Sequence, residues 1–247
     1  MAMEKIQIYS RQWAGLALIL LLLNNDRLMA NPPPSNARLQ EVAHRLTPAL
    51  KKAMLEREVQ LGQPLFIRIF KASHELEVWL ESEGEFTLFQ NYTICDFSGE
   101  LGPKLKEGDL QSPEGFYFVT PEQMNPASQY HLSFNLGFPN LYDRTRGQTG
   151  SALMVHGNCV SIGCYAMTDP IIEEIYLIAD AALRGGQPFF RVHIFPFRMT
   201  DHNLHQHRHS PWSSFWENLK QGYDLFEATR RPPNVEVGEG LYQFGPD

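Results

Sequence analysis

A histidine and a cysteine lie close together in the sequence, in an arrangement that suits nucleophilic catalysis. His156 ends an apolar run that predicts a strand, and a Gly-containing loop leads from it to Gly163 and Cys164, just before a predicted helix. A thiol near a helix N-terminus lies among free backbone N–H groups, which favour the thiolate and can hold an oxyanion. The nearby imidazole would be its base. On spacing alone, a Cys and a His eight residues apart are more often ordinary core residues than a catalytic pair.

The elements that position this pair are those of an antiparallel-rich α+β domain. Apolar residues at helical spacing predict an amphipathic helix over residues 37–59, bent or broken at Pro48. β-branched and aromatic runs predict strands at 65–70, 76–80, 86–94, 115–119, 152–156 and 189–195. Residues 169–183 and 211–230 are expected to be helical, residues 121–150 loop-rich, and the tail from Pro232 irregular.

Composition excludes several classes of protein. The 247 residues are 43% hydrophobic and 20% charged, which is an ordinary globular composition. The net charge of −7 and the lack of a Lys/Arg block argue against a nucleic-acid partner. Three cysteines are too few for a disulfide scaffold. Cys95 and Cys159 either pair and leave Cys164 free, or remain two buried thiols, and the sequence favours neither alternative.

The N-terminus predicts export. Two cations precede an apolar run over residues 13–23, which is too short for a membrane span and typical of a signal peptide. Cleavage is expected after Ala30, with an uncleaved N-terminal anchor as the alternative. A Pro-rich linker follows. We expect the body of the protein in the periplasm or cell envelope, with no membrane span after cleavage.

Several motifs in the right order resemble the L,D-transpeptidase family, whose catalytic domain is of the YkuD type, and in particular its YafK-like branch. The resemblance covers roughly residues 64–235. The motifs are Gly102-Pro103-Lys104, the strand entry Ser112-Pro113-Glu114-Gly115-Phe116-Tyr117, the loop from Asn135 to Arg144, the segment Ser161-Ile162-Gly163-Cys164-Tyr165-Ala166-Met167, and Phe197-Arg198-Met199-Thr200-Asp201.

The resemblance implies a β-sandwich or barrel of the L,D-transpeptidase type, with a central helix after the catalytic loop and a C-terminal helical extension. It places the catalytic domain at 64–197 and the helical extension and tail at 198–247, after the signal peptide at 1–30 and the linker and helix at 31–63 that the N-terminal residues predict. It also implies Cys164 as nucleophile, His156 as base, and an oxyanion hole from the backbone N–H groups of Gly163, Cys164 and Tyr165.

Two departures from the family concern the surroundings of the nucleophile. Most members have His at the position of Ile162 and Arg at the position of Ala166. An apolar Ile162 beside Cys164 would disfavour water. A small Ala166 would leave room for water or a bulky amine and removes a binder of substrate carboxylate. Lys104 and Arg144 are candidates to take over that role, since both carry cations in motif segments. Ser161 is a further candidate for substrate binding.

The expected reaction is acyl transfer at the L-centre carbonyl of diaminopimelate in peptidoglycan stem peptides. One alternative is an amidase that detaches envelope proteins from diaminopimelate, and a less favoured one is a non-catalytic peptidoglycan-binding module. No cofactor or metal is expected. Four histidines between residues 202 and 209 could ligate a metal, but a solvated polar segment is the preferred interpretation.

Overall fold

The computed structural model describes residues 31–245, so the expected export signal and its cleavage site lie outside the described residues. The described helices are α1 (Ala37–Leu55), α2 (Leu141–Thr145), α3 (Asp169–Arg184), α4 (Asp201–Gln206) and α5 (Ser213–Thr229). The described strands are β1 (Leu65–Phe70), β2 (Glu75–Ser82), β3 (Glu85–Thr93), β4 (Asp96–Phe97), β5 (Gly115–Val119), β6 (Met124–Asn125), β7 (Ser133–Asn135), β8 (Met154–His156), β9 (Tyr165–Ala166), β10 (Phe190–Phe195), β11 (Asn234–Gly238) and β12 (Leu241–Gly245).

The first sheet has the strand order β3-β2-β1-β10-β5. Strands β1, β2 and β3 form the predicted antiparallel meander. The central strand β1 is buried along its whole length, which explains its nearly continuous apolar sequence. β10 pairs parallel with β1 and antiparallel with β5, so this strand, the last of the sheet in chain order, lies between them.

The second sheet carries the residues singled out for catalysis. Its order is β4-β9-β8-β7-β6, and only the β8–β9 pairing is parallel among its four. Both sheets and the helices α1 and α3 contribute to one hydrophobic core, in which Phe134 of β7 contacts Phe190 of β10. The described strands form open sheets and no closed barrel. The predicted antiparallel-rich α+β fold is confirmed.

Helix α1 continues through Pro48, so the helix is not broken there, and a bend at Pro48 stays a prediction. Proline removes one backbone hydrogen bond, and the buried face of α1 compensates for that loss by packing on α3. Within residues 31–245, no helix has both the length and the hydropathy needed to cross a membrane.

The tail is not irregular, because residues 234–245 form the hairpin β11–β12. The amide of Asn218 on α5 holds it by donating to the Tyr242 carbonyl and accepting from the Tyr242 N–H, both at 2.9 Å. Helix α5 and the hairpin share a second hydrophobic cluster with Phe70, Phe116 and Phe195 of the first sheet. The C-terminal region is therefore packed on the sheet, and the boundary at residue 197 stays a prediction.

Candidate active site

His156 ends β8, and Cys164 directly precedes β9, the neighbouring strand of the second sheet. β8 and β9 run parallel, with His156 opposite Ala166. Continuing this register places Cys164 beside Met154. Residues two apart on a strand share a face and are separated by about 6.6 Å, while neighbouring strands lie about 4.8 Å apart. In an ideal sheet the Cα atoms of Cys164 and His156 would thus be roughly 8 Å apart, a span that the two side chains can bridge. Within residues 31–245, the hydrogen bonds of the two side chains go to the backbone, that of Sγ to Ala152 and that of Nδ1 to Gly157.

The imidazole of His156 is fixed in one tautomer by the backbone. Its Nδ1 lies 2.6 Å from the Gly157 carbonyl oxygen, which can only accept, so Nδ1 carries the proton. The Nε2 atom then bears the lone pair that a general base needs. Burial lowers the pKa of His156 below its ordinary value, and the Gly157 carbonyl opposes part of that effect. The ring of Tyr130 lies against the imidazole, with centroids 4.6 Å apart.

The thiol of Cys164 lies over the start of β8. Its Sγ donates to the Ala152 carbonyl oxygen at 3.7 Å. Burial raises the pKa of the Cys164 thiol above its ordinary value, although the Met154 backbone N–H and the charge of Lys104 both act to lower it. The resting pair is therefore a neutral thiol and a neutral imidazole, and the thiol needs a base to become a nucleophile.

Cys164 does not lie at a helix N-terminus, so that expectation is wrong. Helix α3 begins at Asp169. Before it, Tyr165 and Ala166 pair with β4 and β8, which holds this part of the chain in the sheet. Sheet backbone, and not helix N–H groups, surrounds the thiol.

Of the three predicted oxyanion donors, two already have partners. The Gly163 N–H donates to the Ser161 hydroxyl at 3.1 Å. The Met167 N–H donates to the His156 carbonyl at 2.7 Å. Along a strand, every second N–H points to the same neighbouring strand, so the Tyr165 N–H also points at β8. The Cys164 N–H has no acceptor within residues 31–245. It is the strongest of the three candidates.

A disulfide joins Cys95 to Cys159, which settles the alternative left open by the sequence. The two Cα atoms are 5.3 Å apart, within the usual range for a bridge. Cys159 lies in the loop between His156 and Cys164, so the bridge ties this loop to the segment before β4. Of the three cysteines, Cys164 keeps a free thiol.

Removing this disulfide is expected to destabilise the protein. It closes a loop with a sequence separation of 64, and bridges of this size typically contribute about 2–5 kcal/mol. Urea unfolding of a Cys95→Ser/Cys159→Ser variant measures the loss. Reductant should shift the wild-type midpoint toward the variant's and leave the variant unchanged. A wild type that is insensitive to reductant, or three alkylatable thiols without reductant, would exclude the bridge.

The predicted carboxylate binders are engaged within the protein. Lys104 is 4% exposed, and its ammonium group donates to the carboxylate of Asp109 and to the Lys106 carbonyl. Its charge also reaches the Cys164 thiol. The exposed Arg144 donates to the Pro139 carbonyl at 2.5 Å. Substrate binding by either residue stays a prediction.

The motif segment around Arg144 contains the residues that cap helix α2. Asn140 and Asp143 form a capping box at the start of α2, each side chain accepting from the other's backbone N–H. The Tyr117 hydroxyl also donates to the Asp143 carboxylate at 3.1 Å. Burial raises the pKa of Asp143 to about 6. These contacts anchor the loop beside the site.

The two departures from the family pattern do not occupy the positions expected of them. The Ile162 side chain is 77% exposed, so it points into solvent and forms no wall beside the thiol. Ala166 is 0% exposed and opens no space. Both arguments on water access therefore fail. The direction of Ile162 in its bend and the burial of Ala166 within β9 depend on the folded structure and cannot be read from the sequence.

Sequence reasoning missed contacts made by Tyr130 and Ser112. Nothing in the sequence singles out Tyr130. Ser112 belongs to the strand-entry motif, which does not reveal that its hydroxyl donates to the Cys164 carbonyl at 3.0 Å.

In the histidine tract, His207 stacks on Phe197 with ring centroids 4.6 Å apart. Residues 31–245 contain no group of three or more His, Cys, Asp or Glu side chains arranged to hold a metal.

Comparison with known proteins identifies the family. No protein-family model matches the chain. A relative in Escherichia coli K12, YafK, which is provisionally named an L,D-transpeptidase, is 50% identical over 182 residues, covering 74% of each chain. The chain belongs to the L,D-transpeptidase family. Its similarity to YafK confirms the resemblance to that branch.

Solved structures with some similarity to this chain include those of two bacterial proteins. The helical cell shape determining protein Pgp2 of Campylobacter jejuni has 16% identity and a TM-score of 0.43, over 77% of this chain and 80% of that one. Bd1075 of Bdellovibrio bacteriovorus has 16% identity and a TM-score of 0.40, over 72% of this chain and 78% of that one.

Proposed function

We propose that this protein is an exported cysteine enzyme of the cell envelope that acts on peptidoglycan stem peptides. The carrying observation is the free thiol of Cys164 beside the strand that ends in His156, whose Nδ1 donates to the Gly157 carbonyl. Membership of the L,D-transpeptidase family supports this reading. The peptidoglycan substrate, the periplasmic location and the boundaries of the catalytic domain at 64–197 belong to the same proposal.

In the proposed reaction, the Cys164 sulfur attacks the carbonyl carbon at the L-centre of diaminopimelate. The thiol proton passes to Nε2 of His156, and the developing oxyanion accepts a hydrogen bond from the Cys164 N–H. The carbon–nitrogen bond then breaks, and His156 returns the proton to the departing amine. A thioester remains on Cys164. An acceptor amine that attacks it forms a new amide bond and regenerates the thiol.

Incubation with purified sacculi, some carrying covalently attached protein, tests this function. Muropeptide mass spectrometry should detect new cross-linked dimers with the wild type and none with Cys164→Ala. Release of attached protein without new dimers would overturn transfer in favour of the amidase, with the same thioester attacked by water. Sacculi unchanged by the wild type would leave only a binding module and would contradict both reactions.

A further inference from the structure

The carbonyl oxygen of Cys164 accepts two hydroxyl hydrogen bonds. One comes from Ser112 at 3.0 Å and the other from Ser161 at 2.8 Å. Ser161 is the local partner, since it belongs to the same bend. Ser112 is the distant one, since it lies 52 residues earlier in the chain. Together they fix the peptide plane between Cys164 and Tyr165, and with it the backbone from which the thiol projects.

Ser112 is itself held by a buried ammonium group. The Nζ atom of Lys71 donates to the carbonyl oxygens of Ser112 at 3.1 Å, Gly102 at 3.0 Å and Glu100 at 2.7 Å. Its fourth partner is the Glu114 carboxylate at 3.2 Å. Both charged side chains are 0% exposed. The lysine thus joins two backbone segments, residues 100–102 and Ser112, at a single point.

Glu114 connects this point to the C-terminal helix. One carboxylate oxygen accepts from the Gly102 N–H at 2.6 Å, and the other from the indole N–H of Trp216 on α5 at 2.8 Å. A buried ion pair of this kind adds little net stability compared with apolar packing, but it specifies geometry because every donor and acceptor must be satisfied. The network ends at Ser112, whose hydroxyl contacts Cys164.

We propose that Ser112 is a positioning residue that orients Cys164 through its carbonyl group, and that the buried Lys71–Glu114–Trp216 network holds Ser112 in place. The proposal rests on Cys164 being the nucleophile of the proposed function. It gives the C-terminal helix a role in the site, through contacts that do not touch substrate.

The physical consequence concerns the sulfur. In the structure the Met154 N–H interacts with the Cys164 thiol and lowers its pKa, against the effect of burial. Without the Ser112 hydroxyl, the Cys164 carbonyl keeps only the bond from Ser161, which belongs to the same bend and moves with it. The peptide plane then loses its tie to the rest of the fold, and the sulfur is less well aligned with that N–H. The thiol should then ionise at a higher pH.

Alkylation of the intact protein by iodoacetamide as a function of pH tests this without any substrate. Cys164 carries the free thiol of the three cysteines. For Ser112→Ala, we expect the midpoint of the alkylation profile to rise by at least about 0.5 pH unit, which lowers the rate at pH 7 roughly threefold. Ser112→Thr retains the hydroxyl and should restore the midpoint.

Ser98→Ala is the matched control. Ser98 lies next to Ser112 in space, its N–H bonding to the Ser112 hydroxyl, but its own buried hydroxyl has no partner in the described chain. The midpoint of this variant should equal that of the wild type. A Ser112→Ala midpoint no higher than that of Ser98→Ala would overturn the proposal, and this comparison holds even if Ser112→Thr does not fold. Failure with sacculi but a shifted midpoint would reject the proposed function and leave the positioning contact standing.

Discussion

Cys164→Ala is expected to abolish turnover of stem peptides, with a rate at least about 10⁴-fold below that of the wild type. The thiol is the group that forms the thioester, and no other cysteine can replace it because Cys95 and Cys159 are joined. Cys164→Ser should also fall far below the wild type, because an alcohol is much harder to ionise beside a neutral imidazole. Release of the leaving amine from a defined stem peptide measures both variants.

Val160→Ala provides the matched control for this change. Val160 lies in the same loop and is 52% exposed, so truncating it tests whether any loss of side chain from the loop reduces activity. Its rate should stay within about twofold of the wild type, since surface truncations have small effects. Turnover by Cys164→Ala at the wild-type rate would reject the thiol mechanism outright.

The second large effect is expected at His156. His156→Gln should reduce the rate about 10²- to 10⁴-fold, because the neutral imidazole supplies general-base catalysis. Burial lowers the pKa of His156 below its ordinary value and raises that of the Cys164 thiol above its ordinary value. The working form is therefore the neutral imidazole. In the wild type, kcat/KM should therefore rise as the pH increases through the lowered pKa of His156, where the imidazole loses its proton.

The pH profile separates this role from simple destabilisation. In His156→Gln the acidic limb should disappear, and the remaining rate should rise toward alkaline pH with ionisation of the thiol. His44→Gln removes an exposed imidazole on α1 and should retain the wild-type profile. An acidic limb that persists unchanged in His156→Gln would assign the base to another group.

The local features of the fold could be read from the sequence. The spacing of apolar residues predicts the meander β1–β2–β3 and the strand that ends on His156, because this pattern involves only residues near one another in the sequence. Helix α3 was predicted to within about one residue at each end because Pro170 and Gly185 mark its ends. The hairpin of the tail was missed because its pairing depends on contacts with Asn218, which lies on α5.

The geometry of the site could be predicted only in part. Cys164 and His156 were found because a loop joins them in sequence, whereas their placement on neighbouring strands depends on the parallel register of β8 and β9. Spacing could not decide whether Cys95 pairs with Cys159, nor that the charge of Lys104 is buried against Asp109. Such pairings join distant segments, and sequence distance carries no information about them.

The central claim is that Cys164 forms a thioester with the diaminopimelate carbonyl. Rapid acid quenching of the wild type with a stem tetrapeptide, followed by intact-mass and peptide mass spectrometry, measures that species directly. We predict one acyl group on the peptide that contains Cys164, released by hydroxylamine and absent from Cys164→Ala. Product formation with no adduct on Cys164, or with the same adduct in Cys164→Ala, would contradict it.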